Sequence, residues 1–166
     1  MALKPRYALA NKLANKLLHD SKISCPPVDP RILLKHLKIE LISHDFPKNV
    51  SAVLMKVDGI TVVGINKNHP PNRRNFSIAH EIGHYLLGHN IDMIIDPSEV
   101  SEGRFDTEHA NKIQEQEANV FASELLMPAE QLKKDFQQLR DAKRLAEKYH
   151  VSEQALWIKL LAVKIV

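Results

Sequence analysis

The chain has 166 residues, 44% of them hydrophobic and 26% charged, which is the length of one domain and the composition of an ordinary globular protein. Its single thiol, Cys25, excludes an intramolecular disulfide and a cysteine-rich zinc ribbon, and it fits a reducing, cytoplasmic setting. The net charge of +3 is too small to argue for nucleic acid. It is unevenly spread, however: residues 49–128 carry six Lys/Arg against eleven Asp/Glu, and an acidic centre between basic ends suits a cation site.

Leu9, Leu13, Leu17 and Leu18 recur at helical spacing, with Lys12 and Lys16 between them. This predicts an amphipathic helix, and neither a signal peptide nor a membrane span. After the loop at Cys25-Pro26-Pro27, Asp29 reads as an N-cap with Pro30 in the first helical position, starting a short helix to about residue 37. Runs 39–46, 50–57 and 60–66 are rich in β-formers, and Asp58-Gly59 is a two-residue hairpin turn, so a small antiparallel sheet is expected. A breaker-rich loop then precedes a helix over about 73–87, which ends near Gly88 and Asn90. Residues 90–107 read as a loop. A second long helix spans about 108–126, stopped by Pro128. Residues 129–166 read as two or three short helices, with Ser152 capping the last. The expected architecture is α+β in a single domain over 1–166, with a core over 1–128 and a helical tail over 129–166 packed on it.

The chemistry centres on His80-Glu81-Ile82-Gly83-His84. Histidines at i and i+4 project from one helix face, close enough to share a metal ion, and the glutamate between them can take a proton from a water placed there. Glu81 is therefore the candidate catalytic base, and His80 and His84 are candidate ligands. A third histidine at the metzincin spacing is absent: the tenth position after His80 is Asn90, and His89 is one residue out of register, a rotation of about 100° around the helix. The remaining solution is a glutamate on the later helix. There Ala110, Ile113, Val120, Phe121 and Leu125 form an apolar stripe that includes Glu117, and a carboxylate at a core-facing position is costly unless paired or bound to metal. Glu115 falls on the opposite side and reads as solvated. Glu124 is the rival, with an ion pair to Arg73 or Arg74 as its expected role. Gly83 predicts close approach of the two helices. Tyr85, His89 and His109 are the candidate oxyanion donors by type. His19, His36, His44, His69 and His150 read as surface, Asn119 as bonded to backbone, and Trp157 with Leu156, Leu160 and Leu161 as an apolar core face. The tail has the cadence of a helix-turn-helix, but only Gln154 and Lys159 could reach base edges, so a helical cap is expected and DNA binding is not.

RRNFSIAHEIGHYLLGH (73–89) together with EQEANVFASELLMP (115–128) resembles the ImmA/IrrE family of bacterial and phage metallopeptidases. LAEKYHVSEQALWIKLL (145–161) is similar to the segment that follows the peptidase core in that family, and the likeness covers roughly residues 25–165. It implies a minimal zincin fold with two long metal-binding helices, zinc held by His80, His84 and Glu117, and Glu81 as the catalytic residue. It also implies a protein substrate, a helix-turn-helix repressor whose cleavage derepresses genes. Longer relatives append a sensor domain, for which a chain ending at Val166 is expected to have no room. The competing expectation is a transcriptional regulator or toxin–antitoxin component that binds a partner or DNA and uses zinc structurally.

Overall fold

The computed structural model describes residues 4–89 and 107–166, the side chains of the second stretch from residue 112 onward. The element order is α1 (Tyr7–Asp20), α2 (Pro30–His36), β1 (Glu40–His44), β2 (Ala52–Val57), β3 (Ile60–Asn66), α3 (Pro71–Leu86), α4 (Thr107–Leu126), α5 (Ala129–Leu139), α6 (Ala142–Tyr149) and α7 (Glu153–Ala162). The class is α+β, as the sequence predicts. The loop expected over 90–107 lies almost wholly outside the described residues, as does Asn90.

Several elements form for the local reasons read from sequence. Asp29 caps α2 by accepting the N–H of Arg31 at 2.9 Å, and Ser152 caps α7 by accepting that of Ala155 at 3.1 Å. At the β2–β3 hairpin, Asp58 and Gly59 both hold positive φ, +50° and +81°. That is the backbone a tight turn between twisted strands needs and that Gly and Asp tolerate best.

The sheet is mixed rather than purely antiparallel, which corrects the sequence expectation. Its order is β1-β3-β2: β2 pairs antiparallel to β3, from Ala52 opposite Ile65 to Val57 opposite Ile60, whereas β1 pairs parallel to β3, from Glu40 opposite Val62 to His44 opposite Asn66. Three consecutive strand-like runs suggest a meander, but here the chain leaves β1 and crosses the end of β3 before starting β2. Asn66, fully buried, holds that crossing. Its Nδ2 donates to the carbonyls of Phe46 at 3.0 Å, Pro47 at 3.2 Å and Val50 at 2.8 Å, while its Oδ1 accepts from the Asn68 N–H at 3.1 Å. His69, expected at the surface, is buried beside it, with Nε2 3.0 Å from the Lys48 carbonyl.

One hydrophobic core joins Ala10, Ala14 and Leu17 of α1, Val63 and Ile65 of β3, Ile78 and Ile82 of α3, and Phe121, Ala122 and Leu125 of α4. Leu132, Leu145, Tyr149, Leu156 and Leu160 of the tail belong to the same cluster. The tail is also tied by polar groups. Tyr149 Oη donates to the buried Asp135 at 2.8 Å, and Lys159 donates to Glu124 of α4 across a pair that is 7% exposed on each side. Lys159 is thus turned inward and cannot offer its charge to a base edge. The face assigned to Trp157 splits: Leu156 and Leu160 are buried, but Trp157 and Leu161 are exposed.

Asn66→Ala should take the side-chain donor from the part-buried carbonyls of Phe46 and Val50 and lower the unfolding free energy by about 1–3 kcal/mol, measured by urea denaturation. A loss below about 0.5 kcal/mol, the range of an ordinary surface change, would show that the crossing does not depend on it.

Candidate metal centre

α3 carries His80 and His84 on one face, and α4 crosses that face at short range because position 83 is glycine. A Cβ there would lie 3.0 Å from Phe121 Cδ1 and 3.2 Å from the Ala118 Cα, inside the distance that side chains keep from backbone. The close approach predicted from Gly83 is therefore real. Its counterpart on α4 is the side that carries Ala118 and Ala122, both fully buried.

That side of α4 also carries Glu115 and Asn119, one turn apart. Glu115 Oε2 lies 2.9 Å from His80 Nε2, and its Oε1 lies 3.1 Å from His84 Nε2. The two Nε2 atoms are themselves 2.9 Å apart. His80, His84 and Glu115 are the group of three among the described residues whose donor atoms converge as metal ligands do. Asn119, read from sequence as a backbone partner, instead has Oδ1 3.0 Å from His80 Nδ1. An amide oxygen can only accept, so His80 Nδ1 donates to it, which leaves Nε2 as the ring nitrogen available to a metal ion in the centre.

Glu117 does not join this cluster. Two residues along a helix is a rotation of about 200°, and the side chain points to α1, where it is 2% exposed. Arg6 donates to it from its backbone N–H at 2.6 Å and from Nη2 at 2.7 Å, and His89 Nε2 lies 2.9 Å from Oε2. The carboxylate beside the two imidazoles is therefore Glu115, not Glu117. Glu117 is nonetheless a buried carboxylate that must be paired, as its place in the apolar stripe implies, and Arg6 pairs it. The rival Glu124 is likewise buried and paired, with Lys159 rather than Arg73 or Arg74; Asn15 Nδ2 adds a bond at 2.9 Å.

Glu115 was missed because it is solvent-facing, as its place opposite the apolar stripe implies: its side chain is 57% exposed, so burial does not mark it as a candidate ligand. The legible signal was the run Glu115, Ala118, Asn119, Ala122 at helical spacing, opposite Gly83. His89 was missed as well. It sits just beyond α3 at 5% exposure, and its Nδ1 is 2.8 Å from His84 Nδ1. With both ring nitrogens engaged it is not free to serve an oxyanion. Tyr85 is half-buried, and the side chain of His109 lies outside the described residues.

Glu81 faces an open cleft of about 390 Å3 lined also by Ser51, Ala52, Arg73, His80 and Glu115. Burial raises its carboxyl above the ordinary value, against the pull of the two neighbouring histidines. Burial disfavours protonation of His80, but the bond to Glu115 and the charge of Glu81 outweigh it, so this ring titrates above its ordinary value. The two imidazoles hold Glu115 far below the usual carboxylate range. Two imidazole nitrogens and a carboxylate within 3.1 Å of one another form a donor set that fits a divalent cation such as zinc.

Residues 34–161 match the peptidase family described as the IrrE N-terminal-like domain. Among solved structures, the chain is similar to a Mycobacterium tuberculosis transcriptional regulator, with a TM-score of 0.65 at 19% identity over 90% of this chain. It spans 45% of that regulator, so the likeness concerns the fold of less than half of the longer protein. No curated protein matches the chain in sequence.

Glu117 makes acid stability predictable. Burial pushes its carboxyl up, but the hydrogen bonds from Arg6 and His89 outweigh that and bring it down to about 2, from 4.5. The stabilisation is therefore complete above the unfolded value and is lost as pH falls from about 4.5 to about 2, a decline on the order of 3 kcal/mol. Arg6→Met should flatten that part of the stability–pH curve. An unchanged slope in urea melts between pH 5 and pH 3 would show that Arg6 does not set it.

Proposed function

Because the chain belongs to the IrrE N-terminal-like peptidase family, we propose that it is a zinc-dependent endopeptidase with His80, His84 and Glu115 as the metal ligands and Glu81 as the general base. The observation that carries this reading is the convergence of two imidazoles and one carboxylate within 3.1 Å, beside a partly buried glutamate in an open cleft. Three protein ligands leave a coordination position free for chemistry, as in catalytic rather than structural zinc sites. A zinc ion bound there supplies Lewis acidity toward water and the scissile carbonyl.

The protein's own groups do the rest. Glu81 accepts a proton from the attacking water and passes it to the leaving amine, a role suited to a carboxyl whose burial raises its affinity for protons. β2 is an edge strand, paired on one side with β3, and its first residue, Ala52, lines the cleft with Glu81. An extended peptide can pair with such an edge through backbone hydrogen bonds and lie beside the site. The substrate we infer is a partner protein, a helix-turn-helix repressor. This rests on the family likeness, and the regulator among the structural neighbours is in keeping with a role in gene control.

His80→Ala, His84→Ala and Glu115→Ala should each lose most of the bound zinc, measured by elemental analysis of the purified proteins. Zinc retained in Glu115→Ala would overturn the ligand set. Glu81→Gln keeps size and polarity but cannot take the proton, so it should retain zinc and fold while peptide cleavage falls by about 10²–10⁴. The assay is a time course with a helix-turn-helix repressor as the substrate. Wild-type protein that holds zinc and binds the repressor without cutting it would favour a regulator with structural zinc instead.

A further inference from the structure

Behind His84 lies a second line of polar contacts that the reaction does not use. An imidazole that offers Nε2 to a cation must carry its proton on Nδ1. His84 Nδ1 is 2.8 Å from His89 Nδ1, so the bond runs from His84 to His89, whose Nδ1 accepts. His89 Nε2 then bears the proton and donates to Glu117 Oε2 at 2.9 Å. Glu117 is held in turn by Arg6 through its backbone N–H and its guanidinium, and Arg6 Nη2 also donates to the Leu87 carbonyl at 3.3 Å, next to the turn that carries His89. The side chains of His89 and Glu117 are each 2% exposed, so water does not compete for these bonds.

We propose that His89 and Glu117, anchored by Arg6, are positioning residues that hold His84 in the tautomer and ring orientation required of a metal ligand. The inference rests on the metal-site reading above. Asn119 does the same for His80 from the other side, through the 3.0 Å contact of Oδ1 with Nδ1. The two ligands are thus oriented by different elements: His80 by α4 directly, and His84 by a relay through the end of α3 and α4 back to the segment preceding α1. Outer partners of this kind restrict the rotation of a ligand ring and raise its basicity toward the metal. The relay also accounts for a feature that is otherwise expensive, a carboxylate and an imidazole buried side by side.

The test uses the full chain with zinc as the probe. His89→Leu removes the acceptor for His84, and zinc affinity should fall by about 10–100-fold, the usual effect of losing an outer-shell partner. His89→Gln can return an amide oxygen to that place and should recover much of the affinity, which a purely space-filling role for His89 would not predict. Nitrogen-15 shifts of the zinc-loaded wild-type histidines at pH 8 should show His89 protonated on Nε2, with its Nδ1 accepting from His84. Zinc affinity within about twofold of wild type in a folded His89→Leu protein would overturn the proposal. So would a His89 ring protonated on Nδ1 in zinc-loaded wild type, which remains readable if His89→Leu does not fold. Wild-type protein that binds no zinc would sink the metal-site reading itself, a result distinct from zinc binding that ignores His89.

Discussion

The approach of α3 to α4 at Gly83 is the contact on which the centre depends. A side chain at position 83 would crowd the backbone of Ala118 and the ring of Phe121, which would have to give way by a few tenths of an ångström. The centre is sensitive to such a shift, because His80 and His84 stand on α3 while Glu115 and Asn119 stand on α4, within hydrogen-bond distance of one another. A glycine inside a helix costs about 1 kcal/mol relative to alanine. Here that cost is offset by an interhelical distance that a side chain would crowd.

α4 meets the demands of three neighbours at once. Toward α3 it presents small residues with Glu115 and Asn119 at the site. Toward the start of α1 it presents Glu117, and toward the tail it presents Glu124. Each buried carboxylate is answered by a cation or donor from elsewhere in the chain: Glu117 by Arg6, Glu124 by Lys159. An ion pair this deep is weak evidence of net stabilisation, but removal of one partner strands a charge. Such pairs therefore fix how α1 and α7 dock on α4. The same logic reaches the centre through His89, which links the Glu117 pair to the back of His84.

The sheet contributes position more than energy. Its mixed topology leaves β2 on an edge at the cleft, and that topology turns on one side chain, Asn66, which takes the place of the backbone partners that a crossing chain would otherwise lack. No helix among the described residues is long and apolar enough to cross a membrane.

The α+β class, the boundaries of α2, α3, α4 and α7, the β2–β3 hairpin and the two histidines with their glutamate were all legible in the sequence. Caps, turn residues and helical spacing act over four residues or fewer, and the chain carries that information locally. Which carboxylate stands beside the histidines was not local. Glu115 and Glu117 differ by two positions on one helix; Glu117 becomes buried, whereas the Glu115 side chain stays 57% exposed, so periodicity could identify a core-facing acid without saying which neighbour it faces. Only the packing of α1 against α4, which delivers Arg6 to Glu117, and of α3 against α4, which delivers the imidazoles to Glu115, decides between them. The parallel pairing of β1 was hidden for the same reason: a strand's partner is chosen by the path of the whole chain, and here that path is held by an asparagine that sequence patterning reads as nothing more than the end of a strand.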